Sequence, residues 1–326
     1  MRSLVAATSV DVLAADRVLE RRDSYWVVRS PSHTDFWWGN LLLFDDVPGA
    51  GDGARWEALF ETEFPDTPHR TFSWDVVDGS LGAANEEFVA RGYELEENVG
   101  LIAEPADLRT HARANADVDV RALDPHGDEA LWAGVIALQV AGRDERITED
   151  AWRQFTRRRL DDLLVHLRDG RGAWYVALSL DGDVVGSCGI VVTDGRARYQ
   201  VVDTAEAWRR RGVASRLLVD AAAHAAATFG AERFVIVADA HYHALALYES
   251  LGFAAVERTA GVLRRPPGCE SRGRDQPTDG PRRRDRQRRE RPVRRARGRS
   301  ARLLEEADRP LPRAGRDPRC PIAFSL

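Results

Sequence analysis

Three strand-like runs separated by Asp-Gly pairs, followed directly by a helix and one more apolar run, leave this chain few folds to choose from. Ala173–Leu180 and Asp183–Val192 meet at Asp181-Gly182, and Asp194-Gly195 leads into Arg196–Asp203. Asp-Gly between apolar runs favours tight hairpins, because glycine accepts a positive φ. The three runs therefore predict an antiparallel meander. Gly212–Phe229 has helical apolar spacing, and Arg233–Ala238 (RFVIVA) is short, apolar and partly β-branched. A strand, a helix and a second strand in that order make a crossover that places a parallel pair beside the meander. The sheet is mixed, and the fold class is α/β.

The flanking sequence extends this pattern. Val118–Leu123 reads as a strand, and two helices follow it, Glu129–Val140 and Thr148–Arg168. In the longer one, Trp152, Phe155, Leu160, Leu163, Leu164 and Leu167 fall near one stripe. After the crossover comes a helix at Tyr242–Leu251 that Gly252 can end, then one or two strands in Phe253–Leu263. The order is β-α-α-β-β-β-α-β-α-β. An earlier region has strand-like runs at Tyr25–Arg29 and Asn40–Phe44, a helix at Gly53–Phe64, an alternating run at His69–Asp75, a short helix at Asn85–Arg91 and a closing strand at Leu95–Glu104. The expected organisation is an N-terminal α/β module at 1–106, a polar linker at 107–117, a main domain at 118–265 and an Arg/Pro-rich disordered tail at 266–326. The tail has no apolar period, so it cannot bury enough surface to offset the entropy of ordering it.

Composition excludes several classes. No run approaches the roughly 18 apolar residues of a membrane helix, and Asp11 and Asp16 interrupt the N-terminus where a secretory signal would be apolar. A cytoplasmic protein with no membrane partner is expected. The 3 cysteines are too few and too scattered for a disulfide framework or a zinc site, so no metal is expected, and Cys188 reads as a small core residue. All 47 basic residues are arginine, so no lysine can act as a nucleophile. Residues 264–326 hold 20 Arg against 9 acidic residues, whereas the rest holds 27 against 43. The basic tail reads as a solvated extension, or as out-of-frame translation of GC-rich DNA, ahead of a nucleic-acid-binding segment, because it lacks aromatics to stack on bases. The acidic body hints at a cationic amine as partner.

The segment Trp208-Arg209-Arg210-Arg211-Gly212-Val213-Ala214 follows a strand and opens a helix. Unpaired amides and the positive end of the helix dipole make such a place a phosphate site. Gly212 permits close backbone approach, and the arginines attract a polyanion. The segment resembles the Arg/Gln-x-x-Gly-x-Gly/Ala signature of the GNAT family of N-acetyltransferases, with Arg209, Gly212 and Ala214 on the signature positions. Downstream, Ala244-x-x-x-Tyr248-x-x-x-Gly252-Phe253 is similar to a second pattern of that family. The element order over 118–265 resembles its fold too.

That resemblance implies acetyl-CoA as cosubstrate and acyl transfer to a primary amine of a small molecule or protein. It implies a pyrophosphate on Arg209, Arg210, Arg211, Gly212, Val213 and Ala214, and a pantetheine arm along Val201, Val202 and Thr204. Asp203, or Glu206 as second choice, would be the general base, and Tyr248 would protonate the leaving thiolate. Many family members carry an asparagine where this chain has His241, so that cofactor contact is carried over with a changed residue. Aromatic pieces of the first region resemble a degenerate second acetyltransferase-like half in tandem. It has no Arg-x-x-Gly-x-Gly/Ala segment and so no assigned cofactor. Trp37, Trp38 and Asn40 are its candidates for a substrate-binding wall, against a role in core and turn. The alternative function is a non-catalytic acyl-CoA sensor that keeps the loop without the base and acid.

Overall fold

The structure, a computed structural model, describes residues 1–143, 147–241 and 244–266. The chain opens with α1 (Leu4–Asp11), whose first turn is capped by the Ser3 hydroxyl on the Ala6 amide. It then lays down β1 (Val18–Arg21), β2 (Tyr25–Arg29) and β3 (Leu41–Phe44), crosses through α2 (Asp52–Glu63) to β4 (Arg70–Trp74), and passes α3 (Asn85–Ala90) to β5 (Glu94–Ala103). The second half begins with β6 (Asp119–Ala122), α4 (Glu129–Ala141) and α5 (Glu149–Arg168). The meander is β7 (Gly172–Leu178), β8 (Val184–Thr193) and β9 (Arg196–Thr204), and the crossover helix α6 (Val213–Phe229) leads to β10 (Arg233–Asp239). Helix α7 (Ala244–Ser250) and β11 (Ala254–Arg264) complete it.

The hairpin expectation is met in detail. Asp194 and Gly195 both have positive φ (48° and 74°), as a type I′ turn requires. The long helix starts where Thr148 accepts a hydrogen bond from the Ala151 amide, and Glu149 and Asp150 in its first turn complement the dipole. Phe253–Leu263, expected to hold one or two strands, forms one, and the tail expected at 266–326 lies, from residue 267 on, outside the described residues.

The eleven strands of the described residues join one sheet in the order β1-β2-β3-β4-β11-β5-β10-β9-β8-β7-β6. Apart from β6, which adds an antiparallel edge strand beside β7, the order repeats from both ends towards the middle. Strands β1, β2 and β3 are antiparallel, β3 pairs parallel with β4, and β4 meets β11 antiparallel. Likewise β7, β8 and β9 are antiparallel, β9 pairs parallel with β10, and β10 meets β5 antiparallel. The two halves thus exchange their last strands, and β5 and β11 pair with each other at the centre. The sheet crosses the sequence boundary at 107–117, so neither half closes its sheet alone.

One face of the sheet is covered by α2 and α3 over the first half and α6 and α7 over the second. The other face carries α1, α4 and α5, and the α4–α5 pair packs on strands of both halves, with Trp152 and Phe155 against Val28, Leu41 and Leu43. Helix α1 sits over the sheet centre. The buried Glu257 carboxylate of β11 accepts the Leu4 amide at 3.1 Å, and Asp75 accepts the Arg2 and Ser3 amides at 2.6 and 2.7 Å. Anions at a helix N-terminus are stabilising, so two strands from opposite halves pin this helix. Among the described residues no helix is long and apolar enough to cross a membrane.

Candidate functional site

Strands β9 and β10 pair only at their beginnings, Arg196 to Arg198 with Arg233 to Val235. Beyond that they part and leave a notch. The parting coincides with a bulge: Gln200 lies opposite Gly189 and Asp203 opposite Ser187, so two residues of β9, Val201 and Val202, face one of β8. Val201 adopts φ 41°, a conformation that a β-branched residue takes only under strain. A bulge leaves the extra residue outside the regular ladder, and this one falls where the strands separate.

The bulge also decides where Asp203 points. Residues paired across strands share a face. Trp174, Gly189 and Gln200 form one row, and Val176, Ser187 and Asp203 the next row on that face. Without the extra residue, Gln200 and Asp203 would lie on opposite faces. With it, both lie on the α4–α5 side. Burial pushes the Asp203 carboxyl up to about 6, opposed by the nearby Arg209 guanidinium.

A cavity of about 320 Å³ occupies the notch and extends beneath α4 and α5. The strands contribute Tyr199 to Val202 and Ile236 to Asp239, and Tyr248 reaches it from α7. Tyr248 is buried, edge-on to Phe253 with ring centroids 6.3 Å apart. The far wall is Phe36, Gln139, Arg159, Leu160, Leu163 and Trp174.

At the other end of β9 the chain makes a short turn, Glu206–Trp208, and enters α6 through Gly212 in the left-handed region (φ 78°). No hydrogen bond of the amides of Arg210 to Ser215 is seen among the described residues. Arg209, Arg210 and Arg211 are exposed beside them, and no acidic residue stands in the first turn. The result is an open, positive helix end. Gly212 has a second reason to be glycine: a Cβ there would lie 1.7 Å from the Arg113 carbonyl oxygen. The polar linker is packed against this loop, with the Asn115 amide donating to the Gly212 carbonyl at 3.1 Å and Asn115 Nδ2 to the Arg211 carbonyl at 2.9 Å. At Gly252 the linker crosses again, and a Cβ would lie 2.0 Å from the Asp107 carbonyl oxygen.

Of the residues singled out from sequence, the structure gathers Val201, Val202 and Tyr248 in the notch, and Asp203, Thr204, Arg209 to Arg211, Gly212, Val213 and Ala214 along the strand end and loop. His241 lies apart, exposed at the β10–α7 turn, with Nε2 at 3.1 Å from Glu97 Oε2. Trp37, Trp38 and Asn40 do not line the notch. Trp37 is fully buried, Trp38 lines a separate cavity of about 70 Å³ beneath α1, and Asn40 ties a turn together through Ser30, His33 and Phe36. Their neighbour Phe36 is the residue of this segment that forms a wall. Cys188 is fully buried and burial pushes its thiol up, as suits a core residue.

Arg159, Gln139 and Trp174 were not anticipated. A signal existed for one of them: Arg159 interrupts the apolar stripe of α5 between Phe155 and Leu163.

Residues 142–253 match the family described as Acetyltransferase (GNAT) family, and this part of the chain is a GNAT acetyltransferase domain. The fold is similar to that of a functionally unknown conserved protein from Staphylococcus epidermidis ATCC 12228, at 13% identity and a TM-score of 0.63, over 80% of this chain and 98% of that one. It is also similar to a GCN5-related N-acetyltransferase from Kribbella flavida, at 15% identity and a TM-score of 0.54, over 81% and 95%. These likenesses establish a GNAT-like fold. No curated protein matches the sequence.

Proposed function

We propose that the protein transfers an acetyl or other short acyl group from acyl-CoA to a primary amine. One observation supports this above the others: the strand that ends in the open, positive helix terminus is the strand that parts from its parallel neighbour at a strained bulge. The phosphate site and the notch therefore lie along one line.

The free amides from Arg210 to Ser215, with the Arg209 to Arg211 guanidinium groups, would hold the pyrophosphate. The edge of β9 from Val201 to Thr204 would pair with the pantetheine arm. Bound there, acyl-CoA supplies an activated thioester. The amide freed by the bulge donates to the developing oxyanion. Asp203, poised near neutrality, accepts the proton that the amine loses as its N–C bond forms. Tyr248 donates its hydroxyl proton to the sulfur as the C–S bond breaks.

The test is calorimetric titration of acetyl-CoA into the full chain, followed by thiol release over a panel of amines. Micromolar binding at one site is expected, and Tyr248→Phe keeps it while turnover falls. No binding at millimolar acetyl-CoA sinks the proposal. Binding with no turnover on any amine leaves only a sensor.

A further inference from the structure

The chamber beneath α4 and α5 is lined by donors. Arg159 lies along it with Nη1 making no hydrogen bond. Among the described residues its one ionic neighbour is Asp162, whose Oδ2 is 3.5 Å away. That same oxygen lies 2.6 Å from Nδ1 of the buried His33, so one carboxylate oxygen stands between two basic side chains. The face of the guanidinium rests on Phe36, with Cζ 4.3 Å from the ring centroid. An arginine stacked in this way is fixed in plane, and its edge is left for another partner. Burial lowers its pKa, and Asp162 opposes that shift.

Two further buried donors share the chamber. Gln139 is 4% exposed and Trp174 is 1% exposed; Gln139 Nε2 and Trp174 Nε1 have no hydrogen-bond partner. A buried polar group without a partner costs free energy, so three such donors around one space point to a missing acceptor. The carboxylate in the cavity wall is Asp239, at the end of β10, where its Oδ1 takes the His241 amide at 2.7 Å. The rest of the far wall, Phe36, Leu160 and Leu163, is apolar.

We infer that the acceptor carries a carboxylate close to its amine, and that Arg159 binds it with help from Gln139 and Trp174. This rests on the acyltransferase reading above. The substrate class is a free amino acid or similar small amino carboxylate. A polyamine or aminoglycoside would place cations against Arg159, so the hint from the acidic body does not hold at the site. A guanidinium edge matches a carboxylate in a two-bond fork. The amine would then be directed towards the notch, on the face that carries Gln200 and Asp203.

The test compares free amino acids with the same amines lacking the carboxylate, using the full chain and acetyl-CoA. Amino acids should be acetylated with kcat/KM at least ~100-fold above their decarboxylated counterparts, as a site built for a polar group rejects analogues without it. Arg159→Met should remove that preference by lowering kcat/KM for the amino acid alone. Gln139→Leu, which keeps volume, should lower it by ~10-fold and covers the case in which the arginine variant fails to fold. As a readout independent of turnover, the preferred amino acid should raise the melting temperature of the CoA-saturated wild type and not of Arg159→Met. Equal use of amines with and without the carboxylate overturns the inference and leaves acyl transfer standing. Failure of the wild type to bind acetyl-CoA overturns both.

Discussion

The two halves of the molecule share a strand order and differ in what the order encloses. In the second half, β9 has nine residues, pairs with β10 only at its beginning, and parts from it after a bulge. In the first half, β3 has four residues and pairs with β4 through its last three, Leu42 to Phe44 with Phe72 to Trp74. There is no length left over to part. The space between sheet and crossover helix is filled instead by aromatics, with Phe44 stacked on Trp56 at 3.6 Å and Phe72, Trp74 and Phe88 around them. The helix starts match closely: Gly51 and Gly212 are both left-handed caps, at φ 84° and 78°. Their charges are opposite. Arginines flank α6, whereas Asp45, Asp46 and Asp52 precede or open α2, and Glu87 lies against Gly53. The comparison separates what the fold needs, a glycine cap and a crossover, from what a cofactor needs, a parted strand pair and a positive loop.

The largest effect is expected at the residue proposed as general base, which lies in the second half. Asp203→Asn should lower kcat by about 10²–10⁴-fold, the usual contribution of a general base, with acetyl-CoA affinity unchanged by calorimetry. In the unsubstituted protein the proposed activity, as kcat/KM, should fall as pH drops through about 6, because only the ionised carboxylate accepts a proton. Stability has the opposite sign. The folded-state pKa is raised above the ordinary 3.8, so the folded protein holds this proton more tightly than the unfolded chain. The stabilisation it brings is complete below about 4 and lost as pH rises through about 6. Removing the charge should therefore stabilise the protein at pH 7 by about 2 kcal/mol in urea titration. A variant that loses both activity and stability would mean that Asp203 is structural.

A smaller effect separates the two caps. Gly212→Ala puts a methyl group on the Arg113 carbonyl and a side chain in the left-handed region, so it should cost at least about 2 kcal/mol and weaken acetyl-CoA binding more than tenfold. Gly51→Ala meets nothing within 4 Å. It should cost about 1 kcal/mol, from backbone conformation alone, and leave binding intact. Equal losses of binding would mean that the first half shapes the cofactor site.

The second half was legible in the sequence because its turns carry Asp-Gly pairs and its helices carry a period. Strands β7 to β9 lie within about two residues of their expected bounds. The arginine loop and Tyr248, which the proposal uses, could be picked out because each sits within a recognisable local pattern, and Asp203 because it ends a strand-like run. Helix α1 and strand β1 were missed: α1 follows Met1-Arg2 without a polar face, and β1 is largely exposed, so neither shows a period. The exchange of β5 and β11 was beyond reach, because alternation predicts a strand and not its partner. The far wall of the cavity was hidden for a related reason. Phe36, Gln139 and Arg159 come from three elements, and only the α4–α5 pair lying over both halves brings them together.

The smallest expected effect probes charge alone. Asp52 stands in the first turn of α2, where its Oδ2 accepts the Gly49 amide at 2.8 Å and its Oδ1 meets Arg55 Nη2 at 2.7 Å. It supplies, within the chain, the negative charge that a ligand phosphate would bring to such a helix end. Asp52→Asn should cost about 0.5 kcal/mol, the loss of one carboxylate from a helix N-terminus. It should not create a second acetyl-CoA site, and the stoichiometry should stay at one per chain. If two equivalents bind to this variant, charge was the barrier in the first half, and parted strands are not required to hold the cofactor. If the stoichiometry holds, the short β3 and its full pairing with β4 are what exclude it. The helix end is then no more than half of the site, because the arm of the cofactor has no notch to enter.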